Sequence, residues 1–198
     1  MSRGFVLPSQ ISPPIAAAGG LVPITPSSIA VGSGTATSAG NGQVTFTSVT
    51  TSLSLNGVFS SLYTNYRILI QATSVAGLQL RYRMRVAGTN DASASYDTQT
   101  MLGEAGGVYA GPTVNYTSSV VNNSGSATDE TVAMDIFRPF LATPTSALYT
   151  FNEGLNSTSI NLVETIAGLH DESTSYDGIS FLVSQAATGT VSVYGYAI

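Results

Sequence analysis

From about residue 43 onward, apolar and polar residues alternate with period two over most of the chain. Val44, Phe46 and Val49 open the pattern, and Leu53 and Leu55 follow, stopping at Asn56-Gly57. Ile68, Ile70 and Ala72 then alternate with Arg67, Leu69 and Gln71. The clearest run is Leu78 to Val86, with Leu78, Leu80, Tyr82, Met84 and Val86 on one side and Gln79, Arg81, Arg83 and Arg85 on the other. Successive side chains of a strand point to opposite faces, so this is the pattern of half-buried strands. Further strands are predicted over 114–116, 131–137, 147–151, 159–165, 179–184 and 191–196. Turn clusters separate them at Asn90-Asp91, Gly106-Gly107, Asn122–Ser126, Pro139–Pro144 and Asp171–Asp177. Short, closely spaced strands predict an all-β fold, an antiparallel β-sandwich of jelly-roll-like type, over residues 43–198. Helical signals are confined to a turn or two at 55–62 and 98–105, and no internal repeat is visible.

The first 42 residues break this pattern. Residues 1–31 hold five of the eight prolines, Pro8, Pro13, Pro14, Pro23 and Pro26. Proline removes backbone donors and favours extended chain. Isolated apolar residues lie between the prolines without a sustained period, so the segment reads as an extended arm anchored by Phe5, Leu7, Ile11 and Ile15. Residues 32–42 are rich in Gly, Ser, Thr and Ala, which is linker chemistry.

Composition narrows the function. The 198 residues are 43% hydrophobic, enough for a real core, yet only 9% are charged, against about 25% in a typical soluble domain. Lys, Cys and Trp are absent and His occurs once. No disulfide framework, thiolate metal site or Cys nucleophile is available. A net charge of -5 argues against nucleic-acid binding, which needs a dense basic face. No apolar run approaches the ~20 residues of a membrane helix. Prolines interrupt any signal-peptide core, so synthesis in a cytoplasm is expected. A surface so poor in charge is expected to be covered by other copies, which predicts a homo-oligomer.

Candidate chemistry is sparse. His170 stands beside Asp171 and Glu172 and reads as a loop side chain on the solvent face. No Gly-x-Ser-x-Gly elbow or phosphate loop is present. Glu104, Glu153, Glu164, Asp135 and Asp177 are the acids that a fold could pair for hydrolysis. No catalytic residue, metal ligand or cofactor is assigned from these patterns. The densest charge feature is the ladder Arg81, Arg83 and Arg85, same-face residues about 7 Å apart. It reads as a subunit contact paired with acids, or as a site for an anionic group such as a cell-surface glycan. Asn90, Asp91, Tyr96, Tyr109, Asn122, Asn123 and Tyr176 fall in expected loops and are candidates for recognition at an exposed tip.

Two stretches carry a resemblance. One is Ser52-Leu53-Ser54-Leu55-Asn56-Gly57-Val58-Phe59 with Tyr63-Thr64-Asn65-Tyr66-Arg67-Ile68; the other runs from Leu80 through Val86-Ala87-Gly88-Thr89-Asn90-Asp91 to Tyr96. With the closing Gly189–Tyr196 segment, they resemble minor tail and fibre-like structural proteins of tailed bacteriophages. The resemblance covers roughly residues 43–198. It implies a non-enzymatic virion component, often a trimer, and its arm is expected to dock onto other virion proteins while its loops face the host surface. A capsid decoration protein or head fibre is the alternative placement.

Overall fold

The computed structural model describes residues 20–104, 107–122, 129–153 and 162–197. These form sixteen strands and no helix. The strands are β1 Leu21–Pro23, β2 Ser28–Val31, β3 Thr35–Ser38, β4 Gln43–Val49, β5 Ser52–Asn56, β6 Asn65–Ser74, β7 Leu80–Val86 and β8 Thr89–Asn90. They continue as β9 Tyr96–Glu104, β10 Gly107–Tyr116, β11 Ser119–Val120, β12 Asp129–Phe137, β13 Thr145–Glu153, β14 Leu162–His170, β15 Gly178–Val183 and β16 Ala187–Tyr196. All pairings are antiparallel.

The strands make two packed sheets. The larger runs β10-β9-β14-β13-β12-β6-β16-β4-β3, with β1 paired to the end of β16. The smaller runs β11-β7-β15-β5-β2, with β8 beside β7. Its centre is jelly-roll-like: β4-β16-β6-β12 in one sheet faces β5-β15-β7-β11 in the other, and the chain crosses between sheets at each step from β4 to β7. The strands β13, β14, β9 and β10 extend the larger sheet beyond this centre.

Alternation fixes which face is buried. In β6, Tyr66, Ile68, Ile70 and Ala72 are buried and their neighbours are not. Register aligns them into rows: Val191, Ile70, Val132 and Phe151 lie side by side across four strands, as do Val193, Ile68, Met134 and Tyr149. Leu55-Ile179-Met84 and Leu53-Phe181-Tyr82 supply matching rows from the smaller sheet. Burying each such side chain contributes roughly 1.5–3 kcal/mol. A slip of one residue would turn a whole row to solvent, so the register is strongly specified.

The expected arm and linker end earlier than the composition indicates. Within the first 42 residues, β1 pairs with β16, β2 with β5 and β3 with β4. Ile24, Ile29, Val31 and Ala36 pack against the core. Prolines are compatible with these edge positions because an edge strand leaves one row of its N–H groups unpaired. Phe5, Leu7, Ile11 and Ile15 lie outside the described residues. The two weak helical signals are also replaced: 98–104 belong to β9, and 57–64 form a turn after β5.

Candidate functional site

The β7–β8 hairpin turns at Ala87-Gly88, both with left-handed φ of 50° and 79°, the geometry of a two-residue primed turn. This brings Asn90 opposite Arg85. The Arg85 guanidinium donates to Asn56 Oδ1 at 3.0 Å and Ser54 Oγ at 3.1 Å, and also to Asn90 Oδ1 and the Gly88 carbonyl. Beneath it the Ser54 and Ser180 hydroxyls share a hydrogen bond of 2.8 Å. Burial lowers the Arg85 pKa, and nearby Asp177 opposes that shift. Arg85 therefore clamps the hairpin to β5.

The rest of the arginine ladder is engaged as well. Arg83 donates to the Thr117 carbonyl at 2.8 Å and to Thr117 Oγ1 at 3.2 Å. Arg81 lies over the Tyr116 ring, 5.5 Å from its centroid. Within one chain, and among the described residues, Arg83 and Arg85 donate to neutral oxygens rather than to carboxylates. The arginine–carboxylate bridge found there is Arg67–Asp135 at 3.1 Å.

A second cluster forms where β14 ends. Gly168 and His170 continue the inward alternation of Ile166, so the imidazole points into the sandwich and is 1% exposed. This corrects its reading as a solvent-facing loop residue. Its ring stacks on Tyr96 at 3.9 Å between centroids and 13° between planes. Nε2 lies 2.7 Å from the Tyr176 hydroxyl and 3.2 Å from Asp91 Oδ2, while Nδ1 lies 3.2 Å from Ser95 Oγ. Tyr176 donates to Asp91 Oδ2 at 2.5 Å, and the Ser93 N–H donates to Asp91 Oδ1 at 2.9 Å. Tyr96 donates to the Asp91 carbonyl at 3.0 Å and accepts from the Met84 N–H at 2.9 Å. Burial raises the Tyr96 and Tyr176 pKa values, so both phenols are neutral donors at physiological pH.

Ser95, His170 and Asp91 have the residue types of a hydrolytic triad, but not its arrangement. Ser95 sits on Nδ1 and the carboxylate on Nε2, the reverse of a serine-protease constellation. Ser95 Oγ is also bonded to Ser93 Oγ at 2.6 Å, and the ring is walled off by Tyr96 and Tyr176. The arrangement locks the 91–95 and 171–177 segments onto the end of β14. Burial alone would raise the Asp91 pKa, but hydrogen bonds from Tyr176, Ser93 and His170 outweigh it and hold the carboxylate at about 2, from an ordinary 3.8. The unfolded chain takes up this proton more readily, so the stabilisation is complete above about pH 4 and lost as pH falls toward 2. It amounts to roughly 2 kcal/mol. Urea unfolding followed from pH 5 to pH 2 is expected to show this loss, and Asp91→Asn is expected to flatten it.

Of the loop residues expected to form one exposed tip, Asp91, Tyr96 and Tyr176 come together around His170, and the other described ones lie apart from that cluster. Tyr96, Asn122 and Tyr176 are buried, at 1%, 2% and 0% exposed. Asn122 accepts from the Leu80 N–H at 2.5 Å and donates to the Leu78 carbonyl at 2.8 Å and to Glu130 Oε1, so it closes the start of β7. The Asn90–Tyr96 segment lies at the other end of β7, about 20 Å away along a seven-residue strand. Asn90 is held by Arg85, and Asn123 lies outside the described residues. Tyr109, half exposed on the edge strand β10, is the one candidate of this set that keeps a large open surface. Sequence reasoning missed Ser54, Asn56, Ser93, Ser95 and His170 as site members. The inward alternation that ends at His170 was the available signal for the last. No protein-family model matches the chain, and no curated protein matches it.

Proposed function

We propose that this chain is a non-enzymatic structural component of a bacteriophage virion, a tail or fibre-type appendage assembled from several copies. The observation that supports this most is where its polar chemistry goes. Arg85 and the His170–Asp91–Tyr176 cluster are closed internal networks that stabilise the sandwich instead of opening onto solvent. A rigid, weakly charged β-sandwich suits a building block whose stability comes from packing and assembly. The segments that resemble phage tail proteins supply core strands β5, β6 and β7, so the resemblance rests on the residues that make the fold.

Quantitative mass spectrometry of purified particles tests the reading. The chain is expected in intact virions at a few to a few tens of copies; absence from particles overturns the proposal, and hundreds of copies favour the capsid decoration alternative. Deleting residues 1–19, which precede β1, is expected to leave the sandwich folded and abolish incorporation. Undiminished incorporation of that variant would reject anchoring by Phe5, Leu7, Ile11 and Ile15.

A further inference from the structure

We infer that Arg81 and Arg83, on the outer face of the smaller sheet, bind the acidic groups of an anionic polysaccharide. The third arginine of the ladder is already spent, because Arg85 is enclosed by Asn56, Ser54, Asn90 and Gly88. The other two are half-buried and are held against one short segment. Arg83 grips Thr117 through Nε and Nη2, the side-on edge of its guanidinium. Arg81 lies over the ring of the preceding residue, Tyr116.

No acid offsets this pair within the chain. Acids outnumber arginines eleven to six, yet no carboxylate among the described residues bridges Arg81 or Arg83. Across the sheet one row reads Arg83-Ser180-Ser54-Ala30 and the next Val120-Arg81-Leu182-Ser52. Asp97 reaches the neighbouring turn but accepts from the Asn115 N–H at 2.8 Å and bridges neither arginine. Asp177 lies beside Arg85, and its Oδ2 accepts from the Ala87 N–H at 3.2 Å. Adjacent like charges repel, so two cations kept together without a carboxylate make a face complementary to an anion.

The donors set the chemistry of the ligand. The hold on Thr117 fixes the Arg83 guanidinium and leaves Nη1 without a hydrogen bond among the described residues, so its end-on fork stays open. That fork matches two oxygens of a carboxylate or sulfate group. The Arg81 guanidinium makes no hydrogen bond among the described residues. Tyr116, 46% exposed, places an aromatic ring beside the cations, where the apolar face of a sugar can pack. The site is a sheet face and not a closed pocket, which suits an extended chain carrying repeated acids. Two arginines on a chain of net charge -5 are too few for a nucleic acid, which requires a broad basic surface. The inference does not depend on the virion reading.

Biolayer interferometry of the purified full-length protein tests it, with polygalacturonate, heparin, uncharged dextran and a single-stranded DNA oligonucleotide immobilised in turn. Binding is expected to polygalacturonate, whose acids are carboxylates, or to heparin, rich in sulfates, and the tighter of the two identifies the group. Dextran is expected to give no signal, and added NaCl is expected to weaken the binding steeply. Arg81→Gln and Arg83→Gln are each expected to weaken it about 10-fold or more, the effect of losing a charge-assisted contact. Arg81→Gln removes no hydrogen bond among the described residues, so circular dichroism is expected to show an unchanged fold. Arg138→Gln is the control for net charge. Arg138 is exposed in the turn after β12, next to Pro139, whose carbonyl accepts from the Tyr176 N–H at the far end of the sandwich. No binding to either polysaccharide, an equal loss with Arg138→Gln, or tighter binding to DNA would overturn the inference. So would sedimentation showing that Arg81→Gln or Arg83→Gln dissociates an oligomer, because the arginines would then meet carboxylates of a second copy. Absence of the protein from virions would defeat the proposed function and leave these results unchanged.

Discussion

Replacing His170 with Ala is expected to cost about 3–5 kcal/mol of folding stability, among the largest effects of any single side chain outside the apolar core. The ring is 1% exposed and stacked on Tyr96. Its removal leaves a cavity and strips partners from Ser95, Tyr176 and Asp91 together. Asp91 retains Tyr176 and the Ser93 N–H, so the carboxylate does not become wholly unpaired. The two segments that meet at His170 belong to different parts of the chain, with Asp91 and His170 separated by 79 positions. For a domain of this size 1 kcal/mol shifts the midpoint by roughly 2–4 °C, so calorimetry is expected to show a drop of about 10 °C. A loss under ~1 kcal/mol would mean that the network is peripheral to folding. Tyr176→Phe, which removes one hydroxyl and keeps the ring, is expected to cost less, about 1–3 kcal/mol.

Gly189→Ala is expected to be comparably damaging for a steric reason. Gly189 lies in β16 between Ala72 of β6 and Phe46 of β4, beside the irregularity in the β16–β4 register. A Cβ built there would sit 1.9 Å from the Gln71 carbonyl oxygen and 2.9 Å from the Ala72 Cα. These are backbone atoms of the neighbouring central strand, so the clash cannot be relieved by rotating a side chain. The β6–β16 pairing must open, at a cost of about 3 kcal/mol or more. Gly111→Ala is the matched control, because nothing lies within 4 Å of its Cβ position. It is expected to change stability by no more than about 0.5 kcal/mol. Denaturant midpoints of the two variants decide the matter, and equal midpoints would show that β16 adjusts freely at Gly189.

Much of the sandwich was legible because strand alternation is a local property. The runs at 66–72, 80–86 and 132–136 read directly as strands with a buried side, and the structure buries those sides except at Val86, which is exposed beside the hairpin turn while Arg85 is buried in its place. Alternation failed where burial is one-sided in a different way. Strand β10 projects beyond the smaller sheet and is exposed along most of its length, so its sequence carries no apolar-in, polar-out contrast. Strand β9 turns Thr98 and Thr100 toward the core side, which masks its period. Strands β1 to β3 are only three or four residues long, and their Pro, Ser and Thr content reads as linker until β4, β5 and β16 are there to pair with them.

The polar sites were the least legible part. Asp171 to Tyr176 is a run of acids and hydroxyls that reads as solvated loop, yet Tyr176 is fully buried. Arg85 has the same sequence pattern as Arg81 and Arg83, and only the hairpin and β5 supply the oxygens that bury it. By itself the sequence determined the all-β class, the two-faced strands and the shortage of charge, since each follows from residue type and nearest-neighbour spacing. The tertiary structure alone decided the strand order, the burial of Arg85 between the β7–β8 hairpin and β5, and the closure of His170 with Asp91 and Tyr176. These depend on which distant segments become neighbours, and that is set by packing the whole core at once.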